Sequence, residues 1–246
     1  MTRIETLRTR FPEGVDAFIT TDEKTCFYLT KFQFSDGMVF PFGFVIRDGE
    51  VSVSSCDFAD GEISVLESTP DLLGEDYLAH LDTVFSAMAD ENGYDCEIVR
   101  CIEYSLSDRN AIDTSLVLDG SEVLTEDNGY EYLTEGRPDD DGGDPLAFVT
   151  VSDGKVLSYA YENPDLSGDG TSDIAVETAE EYRGRGYGTS NVAALAYYLL
   201  DPGRTVTYTA EYGNLPSRKI AEKVGFTHSA DEVRVIWYKK GEYDAL

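Results

Sequence analysis

The run Val176-Glu-Thr-Ala-Glu-Glu-Tyr-Arg-Gly-Arg-Gly-Tyr-Gly-Thr189 constrains this chain more than any other stretch. Asp173–Thr178 reads as a strand and Thr189–Leu200 as an apolar helix, with glycines at 184, 186 and 188 making the turn between them. A strand that feeds at once into an apolar helix belongs to a sheet covered by helices, which excludes all-β and all-α architectures. The turn also leaves backbone N–H groups at a helix N-terminus, where free amides and the helix dipole favour an anion. Glycines there let the backbone come close to such a ligand.

The flanking elements extend the pattern. Leu146–Val151 and Lys155–Tyr161 form a predicted hairpin across Ser152-Asp153-Gly154. Thr205–Ala210 is a further strand, Ser217–Val224 a short helix closed by Gly225, and Glu232–Lys239 the last strand. The order β-β-β-α-β-α-β predicts a mixed sheet with helices between strands. Upstream, residues 15–20 read as a short strand, Phe40–Ser55 as a hairpin turning at Asp48-Gly49, and Cys96–Leu106 as a strand. Apolar residues at helical spacing predict a helix over Asp71–Asn92, with Gly93 as its C-cap. From Asp119 to Asp144 ten acidic residues stand against one Arg, the composition of a solvated linker. The expected division is a smaller α/β domain over 1–95 and a second domain over 96–246, with its core at 146–240.

Charge narrows the partners. Across 246 residues, 48 Asp and Glu against 19 Lys and Arg give a formal −29, a field that repels nucleic acid and anionic membranes. With 26 Asp, 22 Glu and only 7 Lys, the surface suits either an ordinary acidic protein or one adapted to high salt. Against this background Arg183, Arg185, Arg204, Arg218, Lys219 and Lys223 cluster within one segment, which points to a small polyanion such as a phosphate-bearing cosubstrate. Four cysteines without CxxC spacing and two histidines give no zinc pattern, and no metal is expected. Asp165–Gly170 imitates the start of a calcium loop, but the twelfth position, which needs a bidentate Glu, is Val176. No signal-peptide apolar region and no run of 18 apolar residues occurs, so a cytoplasmic protein is expected.

The glycine turn is neither a dinucleotide fingerprint, whose third glycine would fall at Thr189, nor a P-loop, which needs Gly-Lys-Ser/Thr. Arg183-x-x-Gly186-x-Gly188 instead resembles the pyrophosphate loop of the GNAT family of N-acetyltransferases. Asn214-Leu-Pro-Ser-Arg-Lys-Ile-Ala-Glu-Lys-Val-Gly-Phe226 is similar to that family's second motif, Asn-x-x-Ala/Ser followed by Lys-x-Gly-Phe. The resemblance covers roughly Ala147–Lys239. It implies an α/β (α+β) fold, the GNAT acyl-CoA N-acyltransferase mixed sheet with flanking helices, here preceded by a smaller α/β domain. It also implies acetyl-CoA as cosubstrate and direct transfer of the acetyl group to a primary amine.

Carried over position by position, the resemblance assigns backbone groups of Val176, Glu177 and Thr178 to the pantetheine arm. It assigns Gly184, Arg185, Gly186, Tyr187, Gly188 and Thr189 to the pyrophosphate, with Arg183 at the loop's first position. Asn214 and Ser217 fall near the thioester. The tyrosine that some members use to protonate the leaving thiolate is replaced by Ala221. Tyr208 and Tyr212 are the substitutes nearest in sequence. Amine attack needs a base, and Asp173 and Glu177, four apart on one strand face, are the candidates.

The N-terminal half leaves two readings open. Val15–Thr20, Phe27-Tyr-Leu-Thr and Ser35-Asp-Gly37 are similar to the start of the creatinase/aminopeptidase P N-terminal domain. Alternatively, Ile63–Gly74 echoes Ile174–Gly184, as in a degenerate, non-catalytic GNAT copy that shapes the acceptor side or a dimer contact. A carboxylate-rich chain favours a cationic amine, as a small molecule or a peptide terminus. A homodimer is the open option for assembly. The reading from a different class is a CoA-binding regulator or scaffold without catalysis.

Overall fold

In the computed structural model the described residues are 27–28, 38–55, 60–124, 131–132, 146–163, 171–200 and 204–240. They fall into two units. The first holds the described residues up to Cys101 together with those from Ala230 onward; the second is Ile102–Ser229. The boundary falls inside two long strands, β4 (Tyr94–Leu106) and β11 (Thr227–Lys239), so the C-terminal strand groups mainly with the N-terminal residues and not with 96–246.

In the first unit, β2 (Met38–Arg47) and β3 (Glu50–Ser55) form the hairpin expected at Asp48-Gly49. Both turn residues are left-handed, φ 54° and 80°, the pairing that matches strand twist and that Asp-Gly adopts readily. β1 (Phe27–Tyr28) adds in parallel to β3, and β11 pairs antiparallel with β2. Helix α1 covers Asp60–Ser68 and α2 covers Glu75–Asn92. Tyr77, Leu81, Phe85 and Ala89, spaced by four, put one stripe of α2 against Phe42, Phe44, Val53, Val233, Val235 and Trp237. The Phe42 and Phe85 rings stack at 5.3 Å. The helix ends where Asn92-Gly93 predicts, with Gly93 at φ 83°.

The proposed internal echo does not have one structure. Ile63 lies within helix α1, whereas its counterpart Ile174 lies in a strand, so the two segments are not equivalent elements. A helix forms there because Leu66 supplies an apolar contact while Glu62 accepts a hydrogen bond from His80 at 2.8 Å. Residues 15–20 and 164–170 lie outside the described residues.

The second unit contains β5 (Ser121–Val123), β6 (Glu131–Tyr132), β7 (Ala147–Ser152), β8 (Lys155–Asn163), β9 (Thr171–Thr178), α3 (Tyr187–Leu199), β10 (Thr205–Glu211) and α4 (Leu215–Val224). Strands pair in the order β5-β7-β8-β9-β10, with β9–β10 parallel and the other neighbours antiparallel; β6 lies parallel on β8. This is the expected succession of strands and helices, with one correction. The acidic segment 119–144 is not wholly a loop, since Ser121–Val123 pairs with Phe148–Thr150 and Glu131–Tyr132 with Lys155–Val156.

A buried amide explains part of that correction. Asn191 of α3, fully buried, donates through Nδ2 to Ser158 O at 3.0 Å. Its Oδ1 accepts from Ser121 Oγ at 2.6 Å and Thr150 Oγ1 at 3.1 Å, fixing β5 and β7 to one point on the helix. Around it α3 packs Val192, Leu195, Ala196 and Leu199 against Ile174, Val206, Tyr208 and Phe226. Burying side chains of this size contributes about 1.5–3 kcal/mol each. No helix among the described residues is long and apolar enough to cross a membrane.

Candidate active site

β9 and β10 pair over only three residues, Thr171–Asp173 with Thr205–Thr207, and then part. On its other edge β9 stays paired with β8 from Asp173 to Thr178. One edge of Ile174–Thr178 is therefore open. Ala179 N–H donates to Leu157 O of β8, so alternation turns the backbone groups of Glu177 toward β8 and those of Val176 and Thr178 toward the open edge. The Glu177 carbonyl accepts from Ser158 Oγ at 2.8 Å, and the Thr178 carbonyl accepts from Arg183 Nε at 3.0 Å.

The opening continues as a groove of about 640 Å³ between β9, the glycine turn and α4. It brings together most of the sequence-predicted residues: Val176, Glu177, Thr178, Arg183, Gly184, Gly186, Tyr187, Gly188, Thr189, Asn214 and Ser217 all line it. Arg185 does not; its guanidinium lies over the Tyr182 ring at 5.0 Å and donates to Glu181 O.

The glycines divide into two roles. Gly184 and Gly186 have φ 76° and 90°, a conformation that side chains other than glycine adopt only with strain. Gly186 is the N-cap of α3, whose first turn carries no acidic residue. The first intrahelical bond runs from Ser190 N to Gly186 O, leaving the amides of Tyr187, Gly188 and Thr189 without partners inside the helix. Gly188 is required by packing as well: a Cβ there would stand 3.1 Å from Thr178 Oγ1 and 3.4 Å from Ile220 Cδ1.

The basic segment is not one patch. Arg183, Lys219 and Lys223 line the groove. Arg204 is held away by Ser172 Oγ at 2.8 Å and Glu162 at 3.5 Å. Arg218 donates to Tyr104 OH and to Tyr212 O, and its guanidinium sits 5.0 Å from the Tyr212 ring. The lysines at 219 and 223 were legible only as charge; their common side of α4 follows from their spacing of four.

The catalytic candidates separate as well. Asp173 accepts from Asn163 Nδ2 at 2.9 Å and from Thr207 Oγ1 at 3.2 Å, and does not line the groove. Glu177 does, with Oε2 accepting from Tyr159 OH at 2.8 Å. Tyr212 is exposed beyond the end of β10 under Arg218, whereas Tyr208 is buried at 1% exposure. Burial pushes the Tyr208 phenol above its ordinary pKa, and its hydroxyl lies 2.8 Å from Ser217 Oγ. Ala221 is fully buried against the core of the unit. Asn214 is the N-cap of α4, its Oδ1 accepting from Ser217 N–H at 3.1 Å. No cluster of metal ligands occurs among the described residues, and neither Cys96 nor Cys101 is in a disulfide there.

Comparison with known proteins found similarities to the same part of the chain. The family model of FR47-like protein matches residues 166–235, the segment that builds the groove. A conserved protein of unknown function from Staphylococcus epidermidis is similar in fold, at 13% identity over 95% of this chain and 97% of its own, with TM-score 0.51. A GCN5-related N-acetyltransferase-like protein from Streptococcus suis is 19% identical over 67% of this chain and 68% of its own, TM-score 0.48. A GCN5-related N-acetyltransferase from Kribbella flavida is 17% identical over 63% of each chain, TM-score 0.41. No curated protein matches the sequence. Residues 166–235 are thus similar to the FR47-like family model, and the strands and helices that carry them form a mixed sheet with flanking helices.

Proposed function

We propose that this protein is an acetyl-CoA-dependent N-acetyltransferase. The observation that carries the reading is the groove itself, where an unpaired strand edge, an acid-free helix N-terminus and three basic side chains meet. The amides from Gly184 to Thr189, with Arg183, Lys219 and Lys223 around them, suit a pyrophosphate and its neighbouring phosphate. The outward backbone groups of Val176 and Thr178 suit the amide-bearing pantetheine arm. Asn214 and Ser217 border the same groove, and in this reading they lie toward the thioester.

In this reading a neutral primary amine attacks the thioester carbonyl and its proton passes to Glu177, directly or through water. Tyr159 orients that carboxylate by donating to Oε2. Asp173, already accepting from Asn163 and Thr207, is set aside as base. The acceptor is a cationic amine, which the −29 chain attracts.

Acetyl-CoA at 100 times its dissociation constant should stabilise the fold by about 2.7 kcal/mol. Thiol release over a panel of amines then tests transfer. An unchanged melting temperature in millimolar acetyl-CoA would sink the proposal; binding without thiol release would favour the CoA-binding regulator.

A further inference from the structure

Ser217 meets two constraints at once. Its backbone N–H is taken by the Asn214 cap, the residue lines the groove, and its hydroxyl lies 2.8 Å from that of the buried Tyr208. Which of the two hydroxyls donates follows from burial. The Tyr208 hydroxyl has no other hydrogen-bond partner among the described residues. If Ser217 donated, the phenolic proton would be buried without an acceptor, an arrangement native interiors avoid. If Tyr208 donates, its proton is satisfied and that of Ser217, which lines the groove, is left to donate to a ligand there. Burial keeps the phenol neutral, so this orientation holds at working pH.

We propose that Ser217 Oγ–H, oriented by Tyr208, donates the hydrogen bond that stabilises the thioester sulfur as its bond to the acyl carbon breaks. The inference rests on the acetyl-CoA reading above and gives this chain an answer to Ala221. The amine lone pair forms the C–N bond, the C–S bond breaks, and its electron pair goes to sulfur. The amine proton leaves through Glu177 or water, and the thiolate takes its proton from solvent. Ser217 and Tyr208 keep theirs. Ser217 is then the catalytic residue and Tyr208 a positioning residue. A hydrogen bond to a charge that develops only as the bond breaks lowers the barrier without tightening substrate binding.

The test compares wild type with Ser217→Ala, Ser217→Thr and Tyr208→Phe. For Ser217→Ala, kcat for thiol release should fall about tenfold or more with the KM for acetyl-CoA unchanged. Tyr208→Phe should lose several-fold and Ser217→Thr should recover most of the rate. Calorimetry gives a second readout that needs no acceptor. At a pH where the thiol ionises, wild type should bind CoA several-fold more tightly than desulfo-CoA, and Ser217→Ala should bind the two alike. A rise in KM with kcat intact, an undiminished preference for CoA in Ser217→Ala, or a folded Ser217→Thr without recovery would overturn the proposal. Failure of wild type to bind CoA at all would instead overturn the acetyl-CoA reading.

Discussion

At the scale of single residues, neighbouring glycines that look alike in sequence do different things. Gly186 has room for a Cβ, whose nearest neighbour would be Leu118 Cδ1 at 4.0 Å, but its φ of 90° strains any other residue. Gly188 has ordinary dihedrals but no room. Gly186→Val should therefore cost about 1–2 kcal/mol of backbone strain and, by moving the α3 amides, remove the thermal shift given by acetyl-CoA. A variant that keeps the full shift would show that the turn does not hold the ligand. The glycine pattern was legible because each role demands glycine; the division of roles was not, because it depends on Thr178 and Ile220, which are distant in sequence. Tyr208 shows the same limit. Its position in the middle of a strand gave no sign that its hydroxyl would find Ser217, since that contact forms only when β10 and α4 fold together.

At the scale of elements, turns and caps were easiest to read because their chemistry is local. Asp48-Gly49 and Asp153-Gly154 both adopt paired left-handed dihedrals, and Gly93 and Gly225 close helices in the same region of conformational space. Helix α1 was missed, and the strand pieces of the acidic segment were read as linker, because long-range partners such as His80 and Asn191 decide them. The splay of β9 from β10 belongs here too: nothing in the two strand sequences marks where pairing stops. Helix α4 offers a test at this scale. Its start rests on Asn214 accepting from Ser217 N–H, with Pro216 in the first turn. Asn214→Ala should destabilise the chain by about 1 kcal/mol, lowering Tm by roughly 2–4 °C. Restoration of Tm by Asn214→Asp or Asn214→Ser would assign the loss to the cap; a Tm unchanged by alanine would mean that packing alone fixes the helix.

At the scale of the molecule, composition foretold the sign of the field but not how the few positive charges would be distributed around the groove. The −29 charge leads to a salt prediction. Raising KCl from 10 mM to 1 M shortens the screening length from about 30 Å to about 3 Å, so self-repulsion should fade and Tm should rise. A flat response across that range would return the charge to the ordinary acidic reading. Charge also bears on stoichiometry, because the chain has more than one long helix whose N-terminus an anion could approach. At α3 the first turn is free of acids, and Arg183, Lys219 and Lys223 line the same groove. At α2 the position is reversed. Glu75 and Asp76 occupy the first turn, and the Asp71 carboxylate lies so near Gly74 that an added Cβ would stand 2.7 Å from its Oδ2. Those carboxylates already complement the helix dipole, and an arriving pyrophosphate would meet like charge at close range. The expected stoichiometry is therefore one CoA per chain, measured by calorimetric titration of the full-length protein. Glu75→Gln with Asp76→Asn should leave that value and the affinity unchanged, because neither carboxylate borders the groove. Two sites per chain in wild type would mean that the first unit binds CoA despite its acids, and the assignment of nucleotide binding to the second unit alone would fall.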